Sequence, residues 1–134
     1  MKNFFIAYRH SGEDILELEK RIRAVEVALA AKKIKAYATL FDEETFKKNH
    51  TTAAQIMEKA FQKIAAMDGL FVLITGNEKS EGQLMEVGYA IAIKKPIIVA
   101  FHQDAKTYVP ELATHAVAYS DFGDLEKKIL ELNI

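Results

Sequence analysis

Apolar positions along the chain alternate between two periods. Asn3–Tyr8 (NFFIAY) is a short apolar and aromatic run, which predicts a buried strand. From Asp14 the period changes. Ile15, Leu18, Ile22, Val25 and Leu29 are spaced by three and four residues, the stripe of an amphipathic helix ending near Lys32. Ile34–Thr39 reads as a second strand, and residues 40–51, with mixed charge and no clear period, read as a loop with at most a short helical turn. A helix follows from about Thr52, with Ala53, Ile56, Ala60, Ile64 and Met67 on one face. Leu70–Thr75 (LFVLIT) is a continuous apolar run, as in a strand covered on both faces. Ser80-Glu-Gly-Gln83 has the form of a capping box and opens a helix to about Lys94. Pro96–Phe101 and Ala116–Tyr119 complete the strands, and Ser120 or Asp121 caps a last helix carrying Phe122, Leu125, Ile129 and Leu132.

Strands alternating with helices predict one α/β domain over residues 1–134, a doubly wound, five-stranded parallel sheet in a flavodoxin- or Rossmann-like three-layer sandwich. The usual strand order is 2-1-3-4-5, which switches direction between strands 1 and 3. Ligands of such sheets bind beyond the carboxyl ends of the strands at that point. Two loops should therefore share a crevice, Arg9–Glu13 after the first strand and Thr75–Gly82 after the third.

Composition narrows the function classes. A net charge of −1 speaks against binding to nucleic-acid polymers or anionic membranes. The absence of cysteine removes disulfides, thiol catalysis and zinc–thiolate sites. No stretch has the length of a membrane span, and no targeting signal is read at the N-terminus, so the expected location is the cytoplasm. His10, His50, His102 and His115 lack metal-ligand spacing, and Asp42-Glu43-Glu44 reads as a solvated acidic loop rather than a metal site.

Glu86 is the single charge between Glu81 and Lys94, among Leu84, Met85, Val87, Tyr89, Ala90 and Ile91. So apolar a helix should be packed over most of its circumference. Two readings stand side by side. Glu86 lies either on one wet stripe with Gln83 and Ala90, or at the switch-point crevice, where a partly desolvated carboxylate serves as nucleophile or base.

The segment Ser80-Glu-Gly-Gln-Leu-Met-Glu86-Val-Gly-Tyr-Ala90, followed by Lys95-Pro96 and an apolar strand, resembles the signature of the nucleoside 2-deoxyribosyltransferase family. Met67-Asp68 ahead of the third strand resembles the family's aspartate. Tyr8 through Asp14 (YRHSGED) resembles the first loop of its 2′-deoxynucleoside 5′-phosphate N-hydrolase branch. The resemblance spans roughly residues 3–101. It implies double-displacement glycosyl transfer on a nucleoside or its 5′-monophosphate, without metal or cofactor. Glu86 would attack the anomeric carbon to form a covalent sugar ester, and water or a second base would resolve it. Asp68 would help protonate the departing base. The resemblance further implies a homodimer or larger assembly, with each site completed by a neighbouring subunit.

Ser80 stands where the transferase branch commonly has a carboxylate. With Gly82 at the same helix start, and Arg9 and His10 on the facing loop, it tilts the reading toward a 5′-phosphate. Pro110 cuts the other way, since it falls where the hydrolase branch supplies a phosphate donor from the partner chain. Tyr8 reads either as a stacking surface for a base or as a strand end. Two rival readings are a non-catalytic nucleotide-binding module, which would not require Glu86, and a flavodoxin-like interaction domain.

Overall fold

The structure is a computed structural model that describes residues 1–10 and 12–134, so Ser11 of the first loop lies outside the described residues. Five parallel strands, β1 (Lys2–Ala7), β2 (Ile34–Tyr37), β3 (Gly69–Ile74), β4 (Ile97–His102) and β5 (His115–Tyr119), form one sheet in the order β2-β1-β3-β4-β5. This is the architecture that the periodicity predicts. Each strand lies within two residues of its expected bounds.

Period-two side chains sort the core into two layers. Phe4, Ile6, Phe71, Leu73 and Ile98 point to one face, against Ile22, Val25 and Leu29 of α1 (Ile15–Ala31) and Leu125 and Ile129 of α5 (Phe122–Glu131). Phe5, Ala7, Leu70, Val72 and Val99 point to the other. They meet Ala60 and Ile64 of α3 (Ala53–Ala66) and Val87 and Ala90 of α4 (Glu81–Ala92). Helix starts follow local chemistry. Asp14 accepts from the Leu16 and Glu17 amides, Asp121 caps α5, and Thr52 and Gln55 form a reciprocal capping box on α3.

Residues 40–51 are more ordered than their pattern predicts. A 3₁₀ turn (Thr39–Asp42) runs into α2 (Glu43–Lys48). Six residues are too few to display a 3.6-residue period, and Phe46 is the helix's single buried side chain. Asp42 is not part of a solvated cluster. Its carboxylate accepts from the Tyr37 hydroxyl at 2.5 Å and Lys59 Nζ at 3.3 Å, and those bonds, the tyrosine's first, hold it below the usual carboxylate range. Helix α4 is also less covered than expected, with Leu84, Met85 and Ile91 between 43% and 49% exposed. Among the described residues no helix is long and apolar enough to cross a membrane.

Candidate active site

The two switch-point loops meet. Thr75 Oγ1 donates to Glu13 Oε1 at 3.2 Å, and the Arg9 guanidinium joins Glu13 (3.1 Å) to Glu78. Beneath them Gln83 of α4 binds both diverging strands. Its Nε2 donates to Ala7 O at the end of β1 (3.1 Å) and to Leu73 O near the end of β3 (2.8 Å). Carbonyls freed where two neighbouring strands part need donors, and a buried amide supplies them. The capping box at Ser80 is thereby only half made. Ser80 Oγ accepts from the Gln83 amide at 3.2 Å, while the Gln83 side chain is spent on the sheet.

Three residues on from Gln83, Glu86 shares its face of the helix. Both are buried, at 8% and 7% exposure, and Ala90 is fully buried, so the wet-stripe reading fails. Among the described residues no hydrogen-bond or ion-pair partner reaches the Glu86 carboxyl. Burial without compensation pushes it up to about 8. It opens into a cavity of about 310 Å³ bounded by β1, α2, α3 and α4.

One wall is polar. Tyr8 presents a buried ring whose hydroxyl is 3.0 Å from Thr39 Oγ1. Desolvation, aided by the nearby Glu43 and Glu86 charges, pushes that phenol up to about 12. His10 Nε2 lies 3.5 Å from Glu43 Oε1. Phe46, Ala53, Ile56 and Met57 form an apolar wall, and Ser80 and Gly82 form the rim at the start of α4. The backbone amides of Glu81 and Gly82 have no intrahelical acceptor and suit an anionic or hydroxyl-bearing group. No group of three or more His, Asp or Glu side chains that could hold a metal is gathered among the described residues.

Of the residues singled out from the sequence, Tyr8, His10, Ser80, Gly82 and Glu86 line this one cavity. Two do not. Asp68 precedes β3 and lies at the amino end of the sheet, roughly 15–20 Å away along a six-residue strand. Its Oδ2 accepts from the Asn3 amide and its own amide donates to Asn3 O, both at 2.8 Å, which sets the register of β1 against β3. It cannot protonate a base bound over Glu86. Arg9 turns from the cavity to Glu13 and Glu78, so it is not a free phosphate ligand.

The sequence model of the family described as nucleoside 2-deoxyribosyltransferase matches residues 13–128. The chain belongs to that family. Its activity class is accordingly nucleoside glycosyl cleavage or transfer. No functionally curated protein matches significantly. Solved structures with the same fold include a CMP N-glycosidase from Clostridium botulinum (20% identity, TM-score 0.69, covering 96% of this chain and 98% of that one). Others are a conserved protein from Enterococcus faecalis V583 (16%, 0.66, 96% and 97%) and a 2-deoxyribosyltransferase from Bacillus psychrosaccharolyticus (14%, 0.63, 92% and 90%). At these identities the likeness speaks for the fold.

In this deoxyribosyltransferase-family chain, sequence reasoning missed Gln83 as more than a cap partner, and it missed Thr39, Glu43, Phe46, Ile56 and Met57 as cavity lining. A signal existed for α2. Glu43 and Phe46 are three apart, a spacing that puts an acid and an aromatic ring on one helical face. Period alone places Ile56 on the apolar face of its helix and says nothing of Met57.

Proposed function

We propose that the protein cleaves the N-glycosidic bond of a nucleoside or nucleoside 5′-monophosphate with Glu86 as nucleophile. The observation that carries this reading is a buried, unpartnered carboxyl at the switch point, open to a cavity of ligand size. The apolar wall of Phe46, Ile56 and Met57 suits a flat base. The rim of Ser80 and Gly82 suits the 5′ end of the sugar, whether hydroxyl or phosphate. Attack of the Glu86 carboxylate on the anomeric carbon forms a glycosyl ester and expels the base. Water or a second base then restores the carboxylate. A CMP N-glycosidase and a 2-deoxyribosyltransferase among the structural neighbours are in keeping with either substrate form. The test is free base released from a panel of nucleosides and 5′-monophosphates. Glu86→Ala should remove that release by about 10³-fold or more while the protein stays folded. Nucleotide binding without base release in the wild type would instead make this a binding module.

The same reading includes a second copy of the chain across α4. Leu84, Met85 and Ile91 form an exposed apolar face on the helix whose opposite side carries Glu86, and a partner seated there would bury that face. Light scattering should report a dimer or larger, and Leu84→Glu with Met85→Glu should dissociate it. A wild-type monomer at micromolar concentration would refute the assembly.

A further inference from the structure

The Glu86 reading leaves the departing base without a proton, because Asp68 lies at the far end of the sheet. A nucleobase expelled as an anion is a poor leaving group, and a positioned acid typically contributes about 10²–10⁴-fold. The cavity lining offers few donors. The Tyr8 hydroxyl is paired with Thr39 and held at about 12, so it releases a proton reluctantly. Ser80 and Thr39 are alcohols. Glu86 is committed as nucleophile. His10 and Glu43 remain, and they face each other.

We propose that His10 is the general acid for the leaving base and that Glu43 is the residue that positions it. Nε2 of His10 lies 3.5 Å from Glu43 Oε1, an ion-pair contact once the ring is protonated, which orients the ring and leaves Nδ1 for the substrate. Glu43 shares its helical face with Phe46, so a base lying on the Phe46 wall has the imidazole at its edge. The groups facing His10 are Glu43 from α2, Tyr8 at a ring separation of 6.4 Å, and Glu86 across the cavity. All are acidic or neutral, and the neighbouring Arg9 is turned toward Glu13 and Glu78.

The step balances. As the C1′–O bond to Glu86 forms, the C1′–N bond breaks and its electron pair stays on the base. The protonated imidazole gives its Nδ1 proton to that base, which leaves neutral. Neutral Nδ1 then takes a proton from the incoming water as the water oxygen bonds to C1′ and the Glu86 ester bond breaks. The enzyme ends as it began, with a carboxylate and an imidazolium. The device rests on the proposed glycosidic cleavage, and its signature is leaving-group dependence rather than loss of activity alone.

The experiment compares two substrates of one sugar, the natural nucleoside or nucleotide and its 4-nitrophenyl glycoside, whose leaving group needs little protonation. His10→Gln should slow release of the natural base by about 10²-fold or more and release of nitrophenol by less than about threefold. Glu43→Gln should show the same selectivity with a smaller loss, and added imidazole should restore part of the His10→Ala activity. Equal slowing of both substrates, no slowing of either, or the same selectivity in Tyr8→Phe but not in His10→Gln would overturn the acid. A wild type that releases neither base nor nitrophenol would overturn glycosidic cleavage itself and the acid with it. His10 is half exposed, so its substitutions should not unfold the protein.

Discussion

The two ends of the sheet treat their carboxylates in opposite ways. At the amino end, Asp68 is exposed and satisfied. It trades two 2.8 Å hydrogen bonds with the Asn3 backbone, next to a glycine packed so tightly that a Cβ on Gly69 would fall 2.5 Å from the Phe4 ring and 2.9 Å from Pro96 O. These contacts start β1 and β3 in register. At the carboxyl end, Glu86 is buried and unpaired, while its helical neighbour Gln83 spends both amide protons on the Ala7 and Leu73 carbonyls. Burying an ionisable group without a partner costs several kcal/mol in the worst case. The fold keeps such a group at one end and satisfies Asp68 at the other.

The sharpest way to break the contrast is to neutralise each acid in turn. Glu86→Gln should cost about 10³-fold or more in base release, since both half-reactions of the proposed mechanism run through that carboxylate. Asp68→Asn should leave kcat within about twofold and cost about 1 kcal/mol of stability, the difference between a charge-assisted hydrogen bond and the neutral one an amide oxygen can keep. Parallel assays and thermal melts on the two variants check both values. A large activity loss in Asp68→Asn with unchanged stability would reverse the assignment of the two ends.

The pair also marks how far the sequence can be read. Glu86 was legible because a lone charge in an apolar helix is conspicuous, and the strand order followed from alternating periods. Asp68 was misread because its motif context, Met-Asp before an apolar strand, records adjacency along the chain and not which end of a strand it occupies. A residue before a parallel strand lies at the amino edge, opposite the ligand end. Residues 39–48 were not legible as cavity wall. They act through a 3₁₀ turn and a six-residue helix, whose single buried anchor, Phe46, leaves no periodic trace.

Burial also gives the carboxyl end a response to pH. A free glutamate titrates near 4.5 and folded Glu86 near 8, so between those values the folded protein holds a proton that the unfolded chain has released. The stability this adds is complete below 4.5 and is lost as pH rises through about 8. Glu86→Gln has no such titration. Its melting temperature relative to wild type should therefore climb between pH 5 and pH 9. Release of nitrophenol, which draws little on a general acid, should rise over the same interval as the proposed nucleophile ionises. Melts at pH 5, 7 and 9 test this, and a Glu86→Gln difference flat in pH would mean that the carboxyl is solvated.

The smallest effect is expected at Arg9, which sits at the active end of the sheet yet behaves like the residues of the other end. Its guanidinium is occupied by Glu13 and Glu78, and Glu13 is further held by Thr75 and by Arg21 at 3.8 Å. To reach a phosphate in the cavity, Arg9 would have to leave two carboxylates for one ligand, and the exchange returns little. The Glu78 partner is well exposed, so that part of the clasp contributes at most about 1 kcal/mol. Arg9→Ala should therefore loosen the pairing of the two switch-point loops slightly and raise KM modestly for every substrate. The ratio of kcat/KM for a 5′-monophosphate to that for its nucleoside should stay within about twofold of wild type. Ser80→Asp, which puts a negative charge at the cavity rim, should lower that ratio by more than Arg9→Ala does. A tenfold or greater drop in Arg9→Ala would mean that the clasp opens on binding and that Arg9 belongs with Glu86 after all.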